Sequence, residues 1–315
     1  MHRDDELKTN QSTLEFEMVV SMRKSVFLKL QFFLCPVLLC VSVVSAADAR
    51  WDHGLLWEIS KPGMATSYLF GTVHSEDPEV VQLAPPVQQA FDRSGSVILE
   101  IKMDMNAMIY SSTAMLMTDG RTLSGVIGPS LYKKTAQAIQ SRGIPELVLE
   151  RMKPWAAAII LSVPPPKTGM LLDLVLYQQA QEAGKQLHGL ETIQEQLDIF
   201  DSMAESDQIQ LLRDAVDNLD KIDRMNAEVL VLYKRRDLAG MLALNERYMK
   251  DGDPAVSRDL EQRLIIDRNR TMVERMQPHL QAGNAFVAVG ALHLPGDQGL
   301  LGLLDRRGYT VKPVY

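Results

Sequence analysis

Two histidines stand in the same local setting at opposite ends of the chain. Gly71-Thr72-Val73-His74 closes the apolar run Ser67 to Phe70, and Gly290-Ala291-Leu292-His293 closes the run Ala285 to Val289. Two carboxylates hold a comparable position. Glu100 sits near the end of Ser96-Val97-Ile98-Leu99-Glu100-Ile101, and Glu191 near the end of the stretch Lys185 to Thr192. Imidazole nitrogens and carboxylate oxygens together suit zinc, manganese, cobalt or iron in the divalent state. An ion held there acidifies a bound water towards neutral pH and yields a hydroxide nucleophile.

A single histidine at a strand end is by default a hydrogen-bonded structural residue; its repetition in a second G-x-x-H unit reverses that preference. Gly71 and Gly290 are expected to let the backbone turn sharply and bring each imidazole over the sheet edge. Glu100 reads either as a site carboxylate or as a solvated one on an edge strand. Glu191 reads either as a site carboxylate or, with Thr192, as a cap of the next helix. His188 reads as structural, and His53 and His279 as exposed.

Arg268 lies four residues from both Leu264 and Met272, inside an apolar stripe. A guanidinium in that position needs Glu100, Glu191, or a substrate carboxylate or carbonyl. Asn269 beside it is placed to orient that group. Other catalytic signatures are absent: the chain has no H-E-x-x-H, G-x-S-x-G, Walker loop or G-x-G-x-x-G. Gly296, Gly299 and Gly302 lack an accompanying lysine and read as a tight loop before a helix at 300–307 rather than a phosphate cradle.

The elements that must position these residues follow from periodicity. The runs 55–59 and 66–70, joined by Lys61-Pro62-Gly63, predict a hairpin. Strands are expected at 96–101, 185–192, 285–289 and 310–314. Helices are expected over roughly 80–92, 129–142, 155–161 and 170–183, while 103–128 is rich in Met and has no clear assignment. Alternating strands and helices argue for an α/β fold with a mixed, partly parallel central sheet flanked by helices. In such sheets functional side chains gather beyond the carboxyl ends of the strands, so His74, Glu100, Glu191 and His293 converge if their strands are neighbours.

The block 205–280 is almost wholly helical. Ile209, Leu212, Val216, Leu219 and Ile222 recur three and four apart and predict one apolar face. A further helix is expected to start after Asp253-Pro254 and run to about Met276. This block is read as a helical cap over the site or as a layer completing the core.

At 315 residues, with 46% hydrophobic and 23% charged residues, the chain is long enough to bury a sizeable core. A formal charge of -7 leaves no basic face for phosphates and argues against nucleic acid as a partner. Arg23, Lys24 and Lys29 precede the apolar run Phe32 to Val44, which ends in Ser45-Ala46-Ala47. That layout is a secretory signal peptide cleaved after Ala46, with residues 1–21 as an over-extended start. One domain over 47–315 would remain, periplasmic or secreted, without stable membrane insertion. Both cysteines, Cys35 and Cys40, fall inside the signal, which excludes a disulfide framework or a cysteine nucleophile in the mature chain.

Taken together, Gly71-Thr72-Val73-His74, Met152-Lys153-Pro154-Trp155, Leu172-Asp173, Gly189-Leu190-Glu191-Thr192 with Gln196, Arg268-Asn269, and Gly290-Ala291-Leu292-His293 followed by Gly296 and Gly308-Tyr309 resemble the TraB/GumN family. The resemblance covers roughly 54–315 in order. The family includes the TIKI proteins, metal-dependent proteases acting on an extracellular ligand, and pheromone-shutdown proteins; it is related to erythromycin-esterase-like and haem-binding ChaN-like folds. It implies a metalloprotease-like site with the two G-x-x-H histidines and a glutamate.

The expectation is an exported metal-dependent hydrolase acting on a peptide or a small molecule. Its metal (Mn, Co or Zn) is held by His74, His293 and Glu191, with Glu100 or Glu191 as the working carboxylate and Arg268 stabilising an oxyanion. The competing expectations are a non-catalytic peptide- or haem-binding protein of the same fold and a small-molecule esterase.

Overall fold

The computed structural model describes residues 48–165, 167–249 and 261–315. The signal-peptide reading, both cysteines and the Asp253-Pro254 cap lie outside these residues. Six strands form one sheet: β1 Leu56–Ser60, β2 Ser67–Thr72, β3 Ser96–Ile101, β4 Gln186–Glu191, β5 Ala285–Gly290 and β6 Thr310–Pro313. Their order is β4-β3-β5-β2-β1-β6. Neighbours among β4, β3, β5 and β2 run parallel, whereas β1 is antiparallel to both β2 and β6. The sheet is therefore mixed and partly parallel, as its sequence pattern implies.

Register decides the site. Thr72 lies opposite Gly290, Leu99 opposite Ala288, and Ile101 opposite Glu191. The four parallel strands thus end nearly level along one carboxyl edge. β5 is buried at every position, as a parallel strand paired on both sides must be. Phe286 on β5 packs against Phe70 and Phe91, which anchors the centre of the sheet.

The helices are α1 Pro78–Val81, α2 Pro85–Arg93, α3 Met105–Ala114, α4 Leu123–Ile127, α5 Pro129–Gln140, α6 Glu146–Leu149, α7 Pro154–Ser162, α8 Leu172–Glu182, α9 Ile193–Asp201, α10 Glu205–Asp217, α11 Leu219–Lys234, α12 Leu238–Met249, α13 Asp267–Ala282 and α14 Leu300–Arg306. The single helix expected over 80–92 is two, because Pro85-Pro86 force Ala84 to an extended conformation. The helix expected to stop near Met276 continues to Ala282 through Pro278 and ends at Gly283, whose φ is 73°. Burial of Met276 and Leu280 on either side of Pro278 offsets its missing N–H. The Met-rich stretch 103–128 holds α3, with the Asp104 carboxylate capping Ala107 N–H, and α4, with the Thr122 hydroxyl accepting from Gly125 N–H.

The stripe Ile209 to Ile222 faces the core, but two helices carry it rather than one. Asn218, at φ -124° and ψ 22°, ends α10 and starts α11, and this break re-phases the helical period. α10 buries Leu211, Leu212 and Ala215, while Ile209, Val216 and Leu219 are half-buried against the same core. α10 packs on α5 and α7, so this part of the block is a layer. The end of α11 reaches the sheet edge, where the Tyr233 hydroxyl donates to the Gly71 carbonyl at 2.8 Å. Asp201, in the last turn of α9, accepts from Lys153 Nζ at 2.7 Å and Trp155 Nε1 at 2.9 Å, and Trp155 stacks on Phe200. The Met152-to-Trp155 motif is thereby a structural clamp.

Candidate active site at the carboxyl edge of the sheet

The two G-x-x-H units touch. β5 ends at Gly290, and Ala291–His293 forms one 3-10 turn that folds over the end of β2. A Cβ placed on Gly71 would stand 2.8 Å from Leu294 Cδ1 and 3.1 Å from Ala291 Cβ. Gly71 is therefore required for close approach rather than for a sharp turn. Gly290 also needs no special conformation, with φ -52° and ψ 133°.

His293 is wholly buried. Its Nδ1 lies 2.6 Å from Asn269 Oδ1, and its Nε2 has no hydrogen-bond partner. Asn269, from the first turn of α13, therefore orients His293 and not Arg268; its own Nδ2 donates to Gln298 O at 2.8 Å. Burial, then the Arg268 charge, push the His293 pKa down to about 3, so the ring is neutral at ordinary pH. Nδ1–H donating to Asn269 leaves the Nε2 lone pair free, 3.8 Å from Glu100 Oε1.

His74 lies at the rim. Its Nδ1 stands 3.0 Å from Asp173 Oδ2, an ion-pair distance without hydrogen-bond alignment, while Thr72 Oγ1 donates to Asp173 Oδ1 at 2.8 Å. Burial opposes a charge on His74, but Asp173 and then Glu100 outweigh it and raise the pKa to about 9. With 46% of the side chain exposed, solvent screening trims the size of that effect and leaves its sign. Asp173 occupies the first turn of α8, where the helix dipole favours a carboxylate.

Arg268 sits between two carboxylates. Its Nε meets Glu191 Oε1 at 3.0 Å, and its NH2 meets Glu191 Oε2 at 2.7 Å and Glu100 Oε2 at 2.8 Å. Gln196 Nε2 donates to both acids, at 3.3 Å to Glu100 and 3.1 Å to Glu191, and Gly290 N–H donates to Glu100 Oε1 at 2.5 Å. Burial alone would raise the Glu100 pKa; Arg268 first, then His293, the Gly290 N–H and His74, overcome it and hold the carboxyl at about 2. The same two acids push Arg268 further up. A π-helical turn, Gln262–Ile266, precedes α13 and sets the phase from which Arg268 and Asn269 enter the site.

The structure thus brings His293, Glu100, Glu191 and Arg268 into one cluster, with His74 within electrostatic reach of Glu100. Sequence reasoning names Glu191 as a metal ligand; here both its oxygens accept from Arg268, while Glu100 accepts from Arg268 and Gln196 on Oε2 and from the Gly290 N–H on Oε1. Arg268, expected at an oxyanion, has Nε and NH2 committed to carboxylates and NH1 at 3.4 Å from Leu264 O. His279 is half-buried rather than exposed and packs on His188, with ring centres 4.5 Å apart. Asp173 was not singled out from the residues themselves, and neither was Gln196. Both appear only within family-type motifs, and no local spacing announces their partners.

Among the described residues, no three His, Cys, Asp or Glu side chains form a ready-made metal set. The donor types nevertheless fit a divalent ion. Each imidazole meets a neighbouring side-chain oxygen at Nδ1, the arrangement that orients ligating histidines, and His293 Nε2 is a buried nitrogen with no other partner.

The class of protein follows from this fold together with comparison to known families. The sequence profile of the TraB/PrgY/gumN family matches residues 55–313, and the chain belongs to that family. It is similar to Metalloprotease TIKI2 of Danio rerio, at 24% identity over 87% of this chain and 62% of that protein. It is also similar to Metalloprotease TIKI1 of Danio rerio, at 24% identity over 82% of this chain and 63% of that protein. The chain therefore spans less than two thirds of the length of these relatives. No solved structure is matched.

Proposed function

We propose that this chain is a metal-dependent hydrolase of peptidase type, with His74 and His293 as ligands and Glu100 as the carboxylate beside them. One observation carries the reading: His293 is buried and neutral, held at Nδ1 by Asn269, and presents an unpartnered Nε2 towards Glu100. Leaving such an atom unsatisfied costs about 1–3 kcal/mol, and an Mn, Co or Zn ion would satisfy it. When bound, that ion supplies Lewis acidity and an acidified water.

The chain's own residues do the positioning. Asp173 meets His74 through Nδ1, which leaves Nε2 as the nitrogen that would hold the ion once the ion displaces the proton that a pKa of about 9 keeps there. Arg268, Gln196 and the Gly290 N–H keep Glu100 ionised and fixed in place. Glu191 neutralises Arg268, so the positive charge does not oppose a cation unscreened. A carboxyl at about 2 is a strong anionic donor and a weak base, which favours Glu100 as ligand over general base.

The names of the two relatives support a peptide as the substrate class. Export is supported by the signal-like layout ending at Ala46 and by the confinement of both cysteines to it. No helix among the described residues is long and apolar enough to cross a membrane.

The test is elemental analysis of the purified protein together with chelator-reversible cleavage of a peptide library. His74→Ala and His293→Ala are expected to lose bound metal and cleavage while keeping wild-type circular dichroism. Metal content unchanged in both variants would sink the ligand assignment.

A further inference from the structure

Glu76 lies two residues beyond His74, on the segment leaving β2. Its carboxylate takes four hydrogen bonds from one short turn: Lys167 N–H at 2.8 Å, Thr168 N–H at 2.6 Å and the Thr168 hydroxyl at 3.1 Å on Oε2, and Gly169 N–H at 3.1 Å on Oε1. Three consecutive backbone N–H groups aimed at one anion form a nest. Gly169, at φ 76°, supplies the left-handed step that closes it. Thr168 Oγ1 in turn accepts Met170 N–H at 3.1 Å, which ties the nest to the chain leading into α8.

Four residues beyond Gly169 is Asp173. Every second residue of the segment leaving β2 therefore grips the segment that enters α8: Thr72 on Asp173 Oδ1, His74 beside Asp173 Oδ2, and Glu76 on the turn 167–169. The described residues from Val163 to Gly169 are exposed, so little apolar burial holds this stretch. Its polar anchors are Arg142, whose NH1 donates to the Val163 carbonyl at the start of the stretch, and the Glu76 nest at its end. On the other side, Lys234 of α11 pairs with Asp77 at 2.9 Å, so the gripping segment is itself braced.

We infer that Glu76 is a positioning residue of this site: by docking the turn 167–169 it sets Asp173 against Nδ1 of His74. The geometric statement stands on these contacts alone; its importance for chemistry rests on the proposed role of His74. Glu76→Ala releases the turn, and Thr72 is then the hydrogen-bond donor that still fixes the Asp173 carboxylate.

The experiment reads the ring-nitrogen chemical shifts of His74 in the full-length chain carrying nitrogen-15 histidine, at one fixed pH, with and without chelator. Asp173→Asn defines the displacement produced by losing the partner. Glu76→Ala is expected to move the His74 signals in the same direction by at least half that displacement, leaving those of His293 in place. Glu76→Gln, which still offers one acceptor oxygen, should recover part of it. Gly169→Ala, which strains the nest without touching Glu76, should reproduce the Glu76→Ala shift, and thermal melts of all variants identify any that fail to fold. Wild-type His74 signals in a folded Glu76→Ala variant overturn the inference. Because the readout needs neither metal nor activity, it separates this inference from the hydrolase reading: shifted signals alongside an undiminished metal content in His74→Ala would leave Glu76 as positioned here and remove the hydrolase.

Discussion

Asn269 and His293 share a hydrogen bond of 2.6 Å between two completely buried side chains. Because Asn269 Oδ1 accepts, the proton of the neutral ring is on Nδ1 and the lone pair is on Nε2. Asn269→Ala removes the acceptor and leaves Nδ1–H unsatisfied, at a cost of about 1–3 kcal/mol in unfolding free energy. Metal affinity should fall by roughly 10–100-fold, the usual effect of losing such a partner. Urea denaturation checks the first number and titration with Zn the second.

Arg268→Met leaves Glu100 and Glu191 buried without their shared cation. Breaking a buried pair in this way costs about 3–5 kcal/mol. The double change Arg268→Met with Glu191→Gln should recover part of the loss, since it removes one of the stranded charges. Chemical denaturation of wild type, Arg268→Met, Glu191→Gln and the double variant, read as a cycle of four proteins, tests the coupling; strict additivity would argue against the shared network.

Gly71→Ala would press a methyl group against Leu294 and Ala291, at 2.8–3.1 Å from their atoms. Overpacking of this kind costs about 1–3 kcal/mol. Since the displaced turn carries His293, metal affinity should drop with stability, whereas Gly63→Ala, at an exposed turn with open space around it, should affect stability through its φ of 81° alone. Melting temperatures and metal titrations of the two variants separate these effects.

The acid limb of stability should carry a contribution from Glu195. Its bonds to Arg275, followed by those to Thr192, hold its pKa at about 2 against an ordinary 4.5. A carboxyl lowered by folding contributes stability that is fully present above 4.5 and lost as pH falls through 2. Glu195→Gln should therefore be less stable than wild type near neutral pH, with the difference closing between 4.5 and 2. Denaturation midpoints measured across that range test it; a difference independent of pH would contradict the assignment.

Much of the site could be read from the chain because the sheet is parallel where it matters. An apolar run ending in a polar residue gives away a strand's carboxyl end, and four such runs place His74, Glu100, Glu191 and His293 on one edge. The partners were hidden because they come from helices. Asn269 looked like a neighbour of Arg268, but successive residues on a helix point apart by about 100°, so one reached Glu191 and the other His293. Asp173 meets Thr72 across 101 residues, a separation at which local periodicity carries no information. The stripe through Ile209 and Ile222 marks the side that meets the core but not the helix break at Asn218, because the apolar spacing runs across it.

The placement of β5 between β3 and β2 has a consequence for biosynthesis. Residues 285–290 leave the ribosome after β1 to β4, yet they fill the middle of the sheet. Until they arrive, β2 and β3 each present an unpaired edge, the condition that invites strand-to-strand aggregation. A nascent chain halted before β5 has neither its central strand nor His293. Such a chain carries His74 and Glu100 on an edge that lacks the strand between them.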